Sequence, residues 1–334
     1  MSATRAAASV EGSAGVPGVH ERPLKLVFVG QTVYFRQCAL EQPAGGFEPH
    51  FLDFRAAAPP DPLLRALTEL DPDVVLVFRP EIIPPGLFAS LRGVTIGYLT
   101  EPLPRVAQRH HPDLAQRLWW LEQVDAANFD RIVSFDPLIA ETAANVLPVW
   151  RSLPLPVADG IFMDVHECTR PPRLLFIGRS TAHRERMLAP LKAQHEVTHV
   201  GHGLFGDRLL HFLRRFDAQL NLHNNPYPSF ENRVSLALAA GHLVISEPLS
   251  PSHELTAGVD YLEVSEPEQL LAIADRLRDE PDEFLEVQHA GRRQAERFRA
   301  SRIYPQLVRE ALSDVRAHRT RRVSDRGEAN ELYA

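Results

Sequence analysis

Arginine side chains give this chain its main means of binding a phosphate group, because lysine occurs only at positions 25 and 192. Arg179 follows an apolar run that ends in Gly178, where a buried strand is expected to turn. A guanidinium group binds phosphate oxygens through two parallel N–H donors. We therefore predict Arg179 as the main phosphate ligand, with a surface ion pair as the alternative.

Two further arginines are candidates for a second contact with the phosphate. Arg184 lies in a predicted helix just after Arg179, and Arg233 follows a proline-rich loop that enters another predicted helix. Free backbone N–H groups at the start of a helix favour an anion. Both arginines are therefore predicted near the ligand, and a structural ion pair is the alternative for each.

Polar side chains follow two of the predicted strands in the second half of the chain. Ser180 comes directly after Arg179, and His223, Asn224 and Asn225 follow the apolar run 218–222. Parallel sheets bind ligands beyond the carboxyl ends of their strands. We therefore predict that these side chains contact the ligand, with His223 as a candidate catalytic group. A local hydrogen bond is the alternative for His223.

Acidic residues also occupy strand and helix ends. Glu231 lies at the start of a predicted helix over 230–240, where an acid stabilises the first turn. Glu247, His253 and Glu254 follow the predicted strand 243–246. The same rule about strand ends predicts that these three residues lie near the ligand.

Glu101 is the best-placed acid in the first half, since it lies two residues after the end of the predicted strand 94–99. A carboxylate at that edge can accept a proton from a reacting hydroxyl group. A turn residue before Pro102 is an equally good interpretation. His110 and His111, in the polar segment that follows, are weaker candidates.

Alternating strand and helix patterns must position these residues. The predicted strands are 24–30, 51–54, 74–78, 94–99, 131–135, 173–178, 197–200, 218–222, 243–246 and 260–264. Helical patterns lie at 62–70, 114–124, 182–193, 230–240, 266–278, 281–298 and 303–317. This alternation predicts an α/β protein with two Rossmann-like, doubly wound parallel-sheet domains that face a central cleft.

The domain boundaries follow from proline content and from the repeated run that ends in glycine. We predict a disordered tail at 1–21, an N-terminal domain at 22–155, a linker at 156–171 and a C-terminal domain at 172–302. A helix at 303–320 is expected to return toward the N-terminal domain, ahead of a polar tail at 321–334.

The amino-acid composition limits the kinds of partner that we expect this protein to bind. The formal net charge of −7 gives no broad basic field for nucleic acid. Two cysteines without paired spacing suit a reducing compartment. No apolar run reaches the ~20 residues that span a bilayer, and the first residues lack a secretory signal. We expect a cytoplasmic protein without an integral membrane segment.

The second half resembles the donor domain of GT-B fold glycosyltransferases, most closely the spore-maturation-type group. The resemblance rests on FIGRSTAHRER at 176–186, LNLHNN at 220–225 and RVSLALAAG at 233–241, and it covers most of residues 172–305. In the first half it is looser: IGYLTEP at 96–102 is similar to that group's strand and acidic-Pro turn.

The resemblance implies a transferase that uses a nucleoside-diphosphate sugar, such as a UDP-sugar, as donor substrate, with no other cofactor. Gly178, Arg179 and Ser180 are then expected at the diphosphate, and Glu101 at the acceptor hydroxyl if the reaction inverts configuration. We predict no protein-bound metal, because Asp71-Pro72-Asp73, the one metal-like acidic motif, precedes a strand.

One departure from the family pattern keeps other functions open. The pattern expects a ribose-binding Glu before Ala-Leu-Ala-Ala-Gly, and this position is Leu236. Either Glu231 or Glu254 then binds the ribose, or the donor is bound in another way. The alternatives are a catalytically silent GT-B scaffold that binds a nucleotide or a partner, and a nucleotide-sugar epimerase.

Overall fold

The computed structural model describes residues 22–104, 110–143, 146–201, 204 and 206–331. The predicted tail at 1–21 lies outside these residues. Two separate parallel sheets account for all the named strands. The predicted two-sheet α/β architecture is therefore confirmed.

The first sheet, with the helices around it, forms what we term the first half. Its strands are β1 (Leu24–Gly30), β2 (Phe47–Asp53), β3 (Val74–Phe78), β4 (Val94–Leu99), β5 (Arg131–Ser134) and β6 (Val149–Ser152), in the order β2-β1-β3-β4-β5-β6. Its helices are α1 (Thr32–Phe35), α2 (Pro60–Leu70), α3 (Leu114–Glu122) and α4 (Ala140–Ala143). The sequence patterns did not predict β6.

The second sheet and its helices form the second half. Its strands are β7 (Leu174–Ile177), β8 (Val197–Val200), β9 (Ala218–Asn221), β10 (Leu243–Ser246) and β11 (Leu262–Glu263), in the order β11-β10-β9-β7-β8. Its helices are α5 (Ala182–Gln194), α6 (Gly206–Leu213), α7 (Asn232–Ala239), α8 (Pro267–Asp279) and α9 (Leu285–Gln294). Helix α6 was not predicted.

The inner strands of the first sheet, β1, β3, β4 and β5, are buried on both faces, which explains their mostly apolar sequences. Successive side chains of a strand point to opposite faces. Leu26 and Phe28 of β1 therefore join one apolar cluster, and Val27 and Val29 join another. The first cluster includes Tyr304 of the last helix, α10 (Ala300–Glu331), whose ring lies 4.8 Å from that of Phe28.

The two segments that connect the halves run side by side. Val157 N–H donates to the Phe298 carbonyl at 2.7 Å, and Ala300 N–H donates to the Val157 carbonyl at 2.9 Å. Asp159 then accepts from both the backbone and the hydroxyl group of Ser301 at the start of α10. The last helix is thereby tied to the linker before it packs on the first sheet.

Both sheets reverse their strand order next to their first strand. In the first half β1 lies between β2 and β3, and in the second half β7 lies between β8 and β9. Such topological switch points open a crevice at the carboxyl ends of the strands, where ligands of α/β proteins bind. The residues after β1, β3, β7 and β9 therefore lie beside these crevices. Within the described helices, none combines the length and the apolar character needed to cross a membrane.

Candidate active site

A cavity of about 710 Å³ lies between the two halves, and we term it the cleft cavity. Its volume is within the range of roughly 300–1,000 Å³ that holds small molecules. From the first half its polar lining includes Gln31, Gln37, Arg79, Thr100 and Glu101. From the second half its lining includes Gly178, Gln219, Glu231, Asn232, Arg233 and Leu236.

Arg179, Arg184 and Arg233 converge on the residues after β9, and we term them the arginine cluster. Arg184 Nε and Arg233 Nη1 donate to the same carbonyl oxygen, that of Leu222, at 3.0 and 3.1 Å. Arg179 Nε and Arg184 Nη1 share the side-chain oxygen of Asn224, at 3.1 and 3.5 Å. Shared acceptors hold three positive charges close together, which favours a bound anion.

Arg184 is the buried member of the cluster, with 2% of its surface exposed. It also donates to the Arg179 carbonyl at 3.0 Å, and its guanidinium lies 5.3 Å from the centre of the Phe176 ring. Burial lowers the pKa of Arg184 to about 10, and repulsion from Arg233 adds to the effect. Arg184 is still charged at neutral pH and braces the turn that carries the exposed Arg179.

Glu231 partly neutralises the cluster. Its carboxylate lies 3.3 Å from Arg233 Nη2, and among the described residues it is the one carboxylate in an ion pair with the three arginines. Burial by itself raises the pKa of Glu231, but the charges of Arg233 and Arg184 outweigh this and hold the pKa below its ordinary value. Glu231 occupies the N-cap position of α7 without a side-chain capping bond.

The turn after β7 is fixed by backbone contacts. Gly178 N–H donates to the Val200 carbonyl at 2.8 Å, and a Cβ atom at Gly178 would lie 3.2 Å from Arg184 Nη1. Thr181 caps α5, because its hydroxyl oxygen accepts from Arg184 N–H and donates to the Asn224 carbonyl. Ser180 donates to Glu185 at 2.6 Å. The start of α5 is thus held beside the arginine cluster.

His223, predicted as a catalytic candidate, is almost fully buried. Its Nε2 lies 2.9 Å from the Pro248 carbonyl, which can only accept, so the Ser229 hydroxyl at 3.2 Å donates to Nδ1. Burial lowers the pKa of His223 and keeps the ring neutral. Glu247 accepts from His223 N–H and from His183 Nε2. His223 and Glu247 therefore hold the loops after β9 and β10 together.

His253 and Glu254 lie outside the lining of the cleft cavity. Both have left-handed backbone conformations, with φ of 48° and 63°. The ring of His253 packs edge-on against Phe230, and burial lowers its pKa to about 4. Glu254 is exposed and pairs with Arg297 at 2.9 Å. These two residues thus lie outside the cleft cavity, as do Arg179 and Arg184, whereas Arg233 lines it.

Glu101 lies on the opposite wall of the cleft cavity, at the end of β4. Burial raises the pKa of Glu101, an effect that Arg117 and Arg79 reduce without cancelling and that the negative charge of Glu231 reinforces. Arg117 Nη1 lies 3.8 Å from the Glu101 carboxylate. A carboxylate with a raised pKa is a better proton acceptor than an ordinary one.

The two halves also meet beside the cleft cavity. The rings of His111 and Tyr227 lie 4.7 Å apart, and Asn224 and Asn225 line a small cavity there with Arg117. His110 is exposed. Asn224 and Asn225 therefore lie where the arginine cluster faces the first half.

Three lining or neighbouring residues were missed in the sequence. Arg79 follows β3 directly and has φ of 63°, so the rule about strand ends that selected Arg179 applied to it as well. Gln219 is a single amide within a buried strand, with 2% exposure and no partner for Oε1 among the described residues. Arg117 lies in α3, and a single arginine within a helical pattern did not indicate a functional residue.

Leu236 lines the cleft cavity, so the position where the family pattern expects an acid does face the presumed ligand space. In the part of the chain that the structure describes, no three His, Cys, Asp or Glu side chains come together as a metal-binding group. Asp73 of the metal-like motif forms an ion pair with Arg22 at 2.7 Å.

Residues 179–313 match a protein family described as glycosyl transferase-like. No curated protein is significantly similar to the chain in sequence. The matched range contains the whole arginine cluster and all of α7. It leaves the first half, with Glu101, outside the match.

Solved structures of glycosyltransferases share the fold of both halves. Anabaena HepE, solved with UDP-glucose, is 11% identical with a TM-score of 0.57, and the match covers 87% of this chain and 100% of HepE. AviGT4, a glycosyltransferase of avilamycin A biosynthesis, is 15% identical with a TM-score of 0.53, covering 88% and 97%. Sucrose-phosphate synthase from Thermosynechococcus elongatus is 11% identical with a TM-score of 0.52, covering 90% and 100%. The chain thus has the GT-B fold, and its second half matches a glycosyl transferase-like family.

Proposed function

We propose that this protein is a glycosyltransferase that moves a sugar from a nucleoside-diphosphate sugar to a hydroxyl group in the cleft cavity. The arginine cluster is the observation that carries the proposal. Three guanidinium groups surround the end of β9 at a topological switch point, with one paired carboxylate among the described residues. A diphosphate leaving group has the charge that such a cluster stabilises.

The donor nucleoside fits the inner part of the second-half wall. Val200, Leu213 and Leu236 give that part an apolar surface. The unpartnered Gln219 Oε1 is a hydrogen-bond acceptor at the same surface, suited to an N–H group of a nucleobase. HepE, which shares this fold, is solved with UDP-glucose, and a UDP-sugar is therefore our first candidate donor.

The transfer step assigns a role to each wall. The acceptor oxygen attacks the anomeric carbon of the donor sugar, and the bond from that carbon to the diphosphate oxygen breaks. The diphosphate leaves with the bonding electron pair, and the arginine cluster stabilises its charge. Glu101 takes the proton of the acceptor hydroxyl. This assignment corresponds to a single displacement with inversion and uses no metal ion.

The order of the sequence blocks at 176–186, 220–225 and 233–241 supports a place in the spore-maturation-type group of these transferases. Leu236 favours a second candidate function, a nucleotide-binding scaffold without turnover, because an apolar side chain occupies the place of the expected acid. Turnover separates the two functions, since the scaffold binds nucleotide without releasing or transferring sugar.

The proposal is tested with a panel of UDP-, dTDP-, GDP- and ADP-sugars. We expect at least one to raise the melting temperature, and the same compound to release its sugar slowly to water in the absence of acceptor. Binding without any release or transfer supports the scaffold. The absence of binding to every nucleotide sugar and to the free diphosphates overturns both functions.

A further inference from the structure

Two adjacent apolar side chains of α1 are exposed into the cleft cavity. Val33 is 38% exposed and Tyr34 is 54% exposed, and both line the cavity. Among the described residues, the other large apolar side chains this exposed are Trp119 and Val259, each at 52%, and neither lines it. Exposed apolar surface concentrated in a cavity indicates a ligand that covers it.

Helix α1 presents this surface rigidly. The ring of Phe35 is buried and stacks on that of Phe78 at 4.9 Å, which anchors the helix to β3. The Tyr34 carbonyl accepts a hydrogen bond from Gln37 Nε2. An anchored helix loses little conformational entropy when a ligand packs on it, so the exposed ring and the Val33 side chain are preorganised.

The surface that faces α1 is also apolar. Leu209 of α6 lines the cleft cavity and, together with Gln37, a second cavity of about 340 Å³ beside it. Leu204 extends this surface. A flat apolar body can therefore contact the α1 side and the α6 side together.

The polar groups nearby suit neutral hydroxyls rather than an anion. Thr100 Oγ1 and Gln37 Oε1 are buried and have no hydrogen-bond partner among the described residues. Arg79 is the one cation of the first half in the described lining, and its Nε already pairs with Glu81 at 2.8 Å. Within the described first-half lining, a phosphorylated or carboxylated acceptor would therefore meet no cation other than Arg79, which is paired with Glu81.

We infer that the acceptor is a neutral hydroxyl compound with a flat apolar ring system that packs on Tyr34 and Val33. The inference rests on the proposed function, since it takes the first-half wall as the acceptor wall. It places the ring system against α1 and directs a hydroxyl group toward Thr100 and Glu101.

The test is equilibrium binding of neutral aromatic hydroxyl compounds to the donor-free protein, so that it does not depend on the identity of the donor. The probes are 4-methylumbelliferone and 2-naphthol, with glucose and glycerol 3-phosphate as polar comparators. We expect saturable binding of at least one aromatic probe, weakened about tenfold by Tyr34→Ser, as loss of a packed ring predicts. Tyr34→Phe is expected to retain it.

Matched controls are available at the exposed apolar residues outside the cavity. Trp119→Ser and Val259→Ser are expected to leave probe affinity unchanged, whereas Val33→Ser lowers it. Tighter binding of glucose or glycerol 3-phosphate than of both aromatic probes overturns the inference, as does equal probe affinity in wild type and Tyr34→Ser. Failure of the proposed function is seen separately, as the absence of nucleotide-sugar binding.

Discussion

The two walls of the cleft cavity differ in the residues that each offers to a ligand. The second-half wall carries Glu231 and Arg233, and Arg233 belongs to the arginine cluster, which shared backbone and amide acceptors hold. The first-half wall exposes apolar side chains from α1 and one carboxylate with a raised pKa, Glu101. Charged groups need many fixed partners when they leave water, whereas an apolar surface needs only shape. The proposed donor wall therefore depends on fixed hydrogen-bond partners, whereas the proposed acceptor wall depends on the shape of its apolar surface.

The largest expected effect is on the rate of sugar transfer, through Glu101 of the proposed acceptor wall. Glu101→Gln removes the proposed base and keeps the shape of the side chain, and general-base catalysis contributes about 10²–10⁴-fold. We expect kcat for sugar transfer to fall by that factor, while nucleotide affinity is unchanged. Steady-state kinetics and nucleotide titration measure the two quantities. A variant with wild-type kcat removes Glu101 from the mechanism.

The pH dependence of the same step gives an independent check. Glu101 acts as a base only when ionised, and its pKa lies above the ordinary value of 4.5. We expect kcat/KM to fall as the pH drops through that raised pKa, and the acid limb to disappear in Glu101→Gln. Persistence of the limb in the variant assigns it to another group.

The next prediction concerns Arg184, the buried arginine of the cluster. Arg184→Ala leaves the Leu222 and Arg179 carbonyls and the Asn224 amide oxygen without this donor. Hydrogen bonds to a charged group contribute roughly 1.5–3 kcal/mol, so the free energy of unfolding is expected to fall by about 3 kcal/mol. Chemical denaturation measures it. Arg186→Ala, an exposed change in the same helix, is the control and is expected to change stability by less than about 0.5 kcal/mol.

The exposed arginine is expected to behave differently. Arg179→Ala loses one hydrogen bond to Asn224 in the free protein but a charged contact with the diphosphate in the complex. We expect affinity for the nucleoside diphosphate to fall about 10- to 100-fold, with little loss of stability. Calorimetric titration compares it with Arg186→Ala. Equal affinities in the two variants would place the diphosphate elsewhere.

The smallest expected effect is on nucleotide affinity, through Gln219 in the lining of the cleft cavity. Gln219→Leu removes the proposed acceptor for a nucleobase N–H group, and a neutral hydrogen bond contributes about 0.5–1.5 kcal/mol. Nucleoside-diphosphate affinity should therefore fall about 2- to 10-fold, with kcat unchanged. An effect on kcat alone would show that Gln219 faces the reacting groups instead.

Most of the fold could be predicted, because buried parallel strands are continuous apolar runs. The bounds of β1, β3, β4, β8 and β10 agree with their predictions. β6 was missed because Arg151 and Ser152 break its apolar run, which lies between Pro148 and Pro154. Helix α6 is a short element whose buried residues, Leu209 and Leu213, are too few to give a clear periodic pattern.

The sequence predicted which types of residue the candidate site would contain, but not how those residues are arranged in space. The rule about strand ends selected Glu101, which lines the cleft cavity, and also Arg179, His253 and Glu254, which do not. Gln219 was missed because a polar residue inside a strand shows its role only when its surroundings are known. These site assignments remain predictions that the variants test.

The sequence by itself determined the α/β class, the two sheets and the richness in arginine, because apolar periodicity and residue type are local properties. Only the tertiary structure decided which arginine is buried and which is exposed, that Glu101 faces Glu231, and that Val33 and Tyr34 face the cavity. Those relations join residues far apart in the chain. Packing, burial and the proximity of charges determine these relations, and the spacing of residues along the chain does not show any of the three.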